Sequence, residues 1–148
     1  MTSQEIVLDA MRSQGKADAL SLRSRAADMD GTAIIAEESK IPAFDPTKDY
    51  SLWPVGSPVS YGGQVYTLLQ PHNAAHYPDS NPGNTPALWS ITHTKDPLKA
   101  KPFMVPNGTS GMYMKDECCK VDGIVYRSLV DNNAYSPVDY AANWEVAT

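Results

Sequence analysis

Residues 62–74 read GGQVYTLLQPHNA and residues 122–134 read DGIVYRSLVDNNA. Each begins with a turn pair, Gly62-Gly63 or Asp122-Gly123, and each runs on into β-forming residues. In the first copy Val59 and Tyr61 precede the turn and Val65, Tyr66 and Leu68 or Leu69 follow it; the stretch CKVDGIVYRSL has the same form. Such turns between β-formers predict two-residue hairpins. The chain therefore reads as two hairpins with a common spelling.

The likeness extends beyond the hairpins. Gly63 aligns with Gly123, Val65 with Val125, Tyr66 with Tyr126, Leu69 with Leu129, Asn73 with Asn133 and Ala74 with Ala134. Upstream, Trp53 aligns with Tyr113. Downstream, after loops of different length, each copy reaches a tryptophan, Trp89 in PALWSIT and Trp144 in AANWEVA. A shared turn, strand tyrosine and closing tryptophan predict a duplicated module.

The 148 residues are 42% hydrophobic and 20% charged, a balance that supports a folded chain. Net charge is −5, and the only grouped cations are the scattered Lys95, Lys99 and Lys101. Nucleic-acid binding, which needs a basic footprint, is not expected. No run approaches the ~20 apolar residues of a membrane span, so membrane insertion is not expected either. The opening MTSQEIVLDAMRSQGK lacks the basic-then-apolar order of a signal peptide, which predicts a protein made and assembled in a cytoplasm. Cys118 and Cys119 are adjacent and cannot staple distant segments; reduced thiols packed on a strand are expected.

Prolines and glycines cluster after residue 40. Before it, Thr2 and Glu5 have capping-box spacing, and a short helix carrying Ile6, Ala10 and Met11 is expected to stop at Gly15. A second helix follows over residues 16–29, with Ala19, Leu22, Ala26 and Met29 on one stripe. Asp30 can cap a third piece containing Ile34 and Ile35. These helices are too short to stand alone, so they pack on the rest of the chain or dock against other subunits. IPAFD, residues 41–45, reads as a linker tied down by Phe44. HTKDPLKAKPFMVPNGTSG reads as an extended connection with a turn at Asn107-Gly108.

The order of an aromatic, a V-x-Y-x-G-x-x-Y hairpin, a loop and a final tryptophan resembles the small chitin-binding type carbohydrate-binding modules, families five and twelve. The residues that carry the resemblance are Trp53, Val59, Tyr61, Gly63, Tyr66 and Trp89, and again Tyr113, Gly123, Tyr126 and Trp144. It implies a twisted three-stranded antiparallel sheet in each copy and binding without chemistry. The expected fold is α+β: a helical attachment or oligomerisation segment over 1–45, one module over 46–93, a linker over 94–109 and a second module over 110–148.

Sugar rings stack their C–H faces on flat aromatics while polar neighbours bond the hydroxyls. The candidate carbohydrate-binding residues are Trp53, Tyr61 and Tyr113, with Asn73 and Asn133 as polar partners and His72 and Asn132 beside them. Tyr66, Tyr126, Trp89 and Trp144 are expected in the cores. The sugar-stacking aromatics of the family fall where this chain has Gln70-Pro71 and Val130-Asp131. No cofactor, metal site or catalytic motif is expected: His72 and His76 lack a third ligand, and Asp116 and Glu117 are neighbours that a strand would turn to opposite faces.

The wider layout adds a second resemblance. ADALSLRSRAADMDGTAIIAEESKIPAFDPTKDYS, then WPVGSPV and the modules, looks like short tail or baseplate proteins of bacteriophages and prophages. It implies a virion protein assembled in the host cytoplasm, homo-oligomeric in the particle. Its helices would contact other virion proteins, and its modules would bind host surface polysaccharide. The competing readings are a structural or decoration subunit that binds no sugar, and the accessory domain of a glycan hydrolase.

Overall fold

The computed structural model describes residues 2–106 and 110–147. The expected turn at Asn107-Gly108 lies outside the described residues.

Helix α1 spans Ser3–Arg25 without a break. Its start is the expected capping box: the Thr2 hydroxyl accepts from Glu5 N at 3.2 Å and the Glu5 carboxylate accepts from Thr2 N at 2.8 Å. The expected stop at Gly15 does not occur. A glycine inside a helix costs about 1 kcal/mol, which the capped start and the hydrogen-bonded turns on either side can absorb. Gln14 also donates to Asp18 across the glycine, at 2.8 Å. A short 3₁₀ turn and Met29 follow, and Asp30 caps helix α2, Gly31–Ala36, by accepting from Ala33 N at 2.8 Å. Glu37 then takes both guanidinium nitrogens of Arg25, each at 3.1 Å, and the Lys40 ammonium at 3.0 Å. Hydrogen bonding from Arg25 and Lys40 holds the Glu37 carboxyl down to about 2.

The first sheet comprises β1 (Pro58–Tyr61), β2 (Gln64–Leu68) and β3 (Trp89–Ile91), antiparallel in that order. The second comprises β4 (Lys101–Pro102), β5 (Cys118–Val121), β6 (Ile124–Ser128) and β7 (Trp144–Val146). Both hairpins form with the expected turns, and Gly62, Gly63, Asp122 and Gly123 all take positive φ. The segment read as a connection supplies β4, which pairs parallel with β5 and carries Phe103 into the second core. Local patterning misses so short a strand because two residues have no period to detect.

Alternation along β2 explains how the first sheet is buried on both faces. Tyr66 and Leu68 join Tyr50, Val59, Ala74 and Trp89 in one core. Val65, on the opposite face, joins Ala26, Ile34 and Ile35 of the helical segment in another. The second core is smaller: Tyr113, Cys119 and Trp144, with Phe103, Val121 and Tyr126 against it.

The two sheets are joined by short contacts. Cys118 N donates to Thr94 O at 2.7 Å and Gln64 Nε2 donates to Pro102 O at 2.8 Å, while Lys101 ties the second sheet to Glu38 of the helical segment. His93 stacks on Tyr113, with ring centroids 3.7 Å apart, and a ring nitrogen lies 2.7 Å from Gly111 O.

Cys118 and Cys119 are free and buried, as expected. Burial pushes the Cys118 thiol up and the Cys119 thiol to about 12, so neither forms the reactive thiolate near neutrality. The native protein is expected to resist a thiol reagent at mildly alkaline pH, and both cysteines to react once guanidinium unfolds it. Equal rates before and after unfolding would contradict this packing.

Candidate functional site

The aromatic residues of the first unit form a connected run. Phe44 stacks on Tyr50 with centroids 5.8 Å apart and meets Tyr61 edge-on at 6.0 Å. Tyr50 packs edge-on against Trp53 at 4.6 Å and Trp89 at 5.2 Å. The Tyr50 hydroxyl accepts from Asp45 N at 2.9 Å, which ties the entry segment to the core. Tyr50, Trp89 and Tyr66 are buried, whereas Tyr61 reaches solvent and Trp53 is half-buried.

Trp53 does not present a bare ring. The Arg23 guanidinium carbon, from the last turns of α1, lies 4.0 Å from the ring centroid, and the Lys48 ammonium lies 5.0 Å away. Each such contact contributes about 0.5–1 kcal/mol at an exposed site. Arg23 therefore fastens the helix to this loop while covering surface that a ligand would use.

The second unit repeats the aromatic plan in an alignment different from the one expected. Phe103 stacks on Tyr113 at 5.4 Å, Tyr113 packs on Trp144 at 5.3 Å, and the Tyr113 hydroxyl accepts from Met104 N at 3.2 Å. These relations match Phe44, Tyr50, Trp89 and Asp45 N. Tyr113 is therefore the counterpart of Tyr50, and it is buried, with 1% of its surface exposed. The pairing of Tyr113 with Trp53 is corrected accordingly, and a ligand cannot stack on Tyr113 in this arrangement. The physical reason is loop length. The hydrogen bonds that Gly56 N and Asp116 N give to Leu68 O and Ser128 O place those two residues in one position. Residues 51–55 precede the first and only 114–115 the second, so the longer loop carries the additional aromatic.

Asn133 is corrected as well. It is 1% exposed, and its side chain donates to Ser128 Oγ at 3.0 Å. The position of Ser128 is held by Leu68 in the first sheet, each pairing with its closing tryptophan. The smaller, polar serine leaves room for the amide and partners it. Asn73 stays half-buried, and its Oδ1 accepts from Ala75 N at 3.1 Å. His72 is also half-buried, between Tyr50, Tyr77 and Trp89.

Trp53 and Tyr61 thus share one aromatic run, and Asn73 belongs to the same unit, whereas Tyr113 and Asn133 are interior to the other. Three exposed tyrosines escaped the sequence reading: Tyr77, Tyr135 and Tyr140. All lie in the proline-containing loops HYPDS and AYSPVDY, outside any strand alternation. Their position between breakers was the available signal. A separate cleft of about 610 Å³ opens where the helical segment meets both sheets; Thr67, Ser90, His93, Glu117 and Asn132 line it. Burial raises the Glu117 carboxyl, whose Oε1 accepts from Met114 N at 2.6 Å.

Residues 43–90 match the family model of carbohydrate-binding module family 5/12. The matched span runs from the Ala43 bridge with Ser60 to the middle of β3, and so contains the whole first aromatic run. No curated protein matches the chain.

Proposed function

We propose that this chain is a carbohydrate-binding subunit of a phage or prophage virion, belonging to the tail and adhering to host surface polysaccharide. The observation that carries the binding part is the family match over residues 43–90, which encloses the surface-reaching Tyr61 and Trp53. In this reading Trp53 and Tyr61 stack on sugar rings and Asn73 bonds hydroxyls. The second sheet is a second copy of the module, in support of which stand the common Phe–Tyr–Trp packing and the common strand register. The matched family is one of binding modules, and the chain acts without catalysis.

The virion part rests on layout. Ile6, Val7, Leu8, Met11 and Leu20 of α1 are exposed, a concentration of apolar surface that a neighbouring virion protein or a second copy of this chain would cover. Many copies on one particle would convert weak single sites into firm attachment. The described helices include none long and apolar enough to cross a membrane.

A structural subunit that binds no sugar is the second reading, favoured by Arg23 lying over the Trp53 ring. Retention of the full chain on insoluble chitin and on bacterial cell-wall preparations separates the two. The Trp53→Ala, Tyr61→Ala variant is expected to bind about tenfold more weakly, with an unchanged circular dichroism spectrum. A wild-type protein retained on none of these materials leaves the structural reading.

A further inference from the structure

Tyr135 and Tyr140 lie in the loop between β6 and β7, outside the matched span. They are 60% and 50% exposed, yet their rings stay together, with centroids 6.0 Å apart and planes inclined at 35°. The loop beneath them is pinned to the second core. The indole of buried Trp144 donates to Tyr135 O at 2.8 Å, and Tyr135 N donates to the side-chain oxygen of buried Asn133 at 3.4 Å. Tyr140 N donates to Ser136 O at 2.9 Å, and Asn143 N donates to Tyr140 O at 3.2 Å. Between them, Pro137 is buried.

We infer that Tyr135 and Tyr140 form a stacking platform for a neutral, β-linked glycan chain. The inference rests on the carbohydrate-binding reading above and gives the second unit a site of its own, at residues that the aligned repeat does not mark. Two phenol rings held side by side on an anchored loop lose little freedom when a ligand arrives. Their faces suit the C–H surfaces of successive pyranose rings with equatorial substituents, and the mutual tilt suits a twisted chain. Both hydroxyl ends can stay wet and bond to sugar hydroxyls. Charge narrows the ligand: exposed Asp139 lies in the same loop, exposed Asp131 at its start, and the chain carries −5 overall. An acidic polysaccharide would be repelled.

The test is retention of the full chain on insoluble chitin and on cellulose, made in the wild type and in the Trp53→Ala, Tyr61→Ala background. Tyr135→Ala with Tyr140→Ala is expected to weaken retention about tenfold in that background, while Tyr135→Phe with Tyr140→Phe keeps most of it. Retention unchanged by the alanine pair in both backgrounds overturns the platform and leaves sugar binding to the first unit. An alanine pair with a lowered urea midpoint of unfolding shifts the decision to the phenylalanine pair, for which the wild-type midpoint and a full loss of retention would also overturn it. Failure of the wild type to bind either polymer overturns the platform together with the reading beneath it.

Discussion

Trp89→Ala is expected to destabilise the first sheet by about 3–5 kcal/mol, the usual cost of emptying a buried aromatic site. Trp89 is 2% exposed, opposes Leu68 in the β2–β3 ladder, and makes edge contacts with Tyr50, Phe44 and His72 at 5.2, 5.9 and 5.7 Å. Each neighbour is held by another link of the aromatic run, so collapse into the void would disturb Tyr50 and its hydroxyl bond to Asp45 N. A domain's whole stability is only about 5–15 kcal/mol, so this one change brings the fold near its limit. Urea unfolding followed by near-ultraviolet circular dichroism measures the loss. Leu98→Ala, at a side chain 92% exposed, is the control and should shift stability by less than about 0.5 kcal/mol. A Trp89→Ala protein as stable as that control would rule out the core described here.

Acid is expected to weaken the junction between the two sheets through His93. Burial drives this imidazole down from 6.5 to about 4, partly countered by its bond to Gly111 O. The folded protein thus resists a proton that the unfolded chain accepts, and between those two values the unfolded state binds more protons. Stability therefore rises with pH across that window and is lost as pH falls through it. Below about 4 the folded form takes the proton as well and the loss levels off. The displacement corresponds to roughly 3 kcal/mol. His93→Phe, which keeps a ring against Tyr113 but does not titrate, should lose correspondingly less stability between neutral pH and pH 4. Equal acid losses in wild type and variant would show that His93 does not report on the junction.

Both hairpins were legible because a hairpin is written within a dozen residues: a pair tolerating positive φ, then alternation on either side. The same holds for the caps at Thr2 and Asp30, each a side chain reaching an amide three residues on. The family match over residues 43–90 likewise falls on Trp53, Val59, Tyr61, Gly63, Tyr66 and Trp89, the residues that carried the resemblance. Gly15 apart, the information missing where the reading went astray was not local. Gly15 spells a stop, but the flanking turns and the Gln14–Asp18 bond carry the helix through it.

The candidate site divides along the same line. Alignment of the repeats put Tyr113 opposite Trp53 and Asn133 opposite Asn73, because sequence aligns spellings and cannot weigh loop lengths against a packed core. In space the Phe–Tyr–Trp packing decides, and it makes Tyr50 the partner of Tyr113. Asn133 is interior because Ser128 leaves it space and a hydrogen bond that Leu68 cannot offer Asn73. The sequence by itself determined the hairpins, the helix caps, the closing tryptophans and the absence of a basic footprint, since these depend on turn geometry, period and charge. Only the tertiary structure decided that Tyr50 and Tyr113 are interior, that Arg23 covers Trp53, and that Tyr135 and Tyr140 stand together in solvent. Burial is a property of the volume that neighbours leave, and those neighbours come from distant parts of the chain.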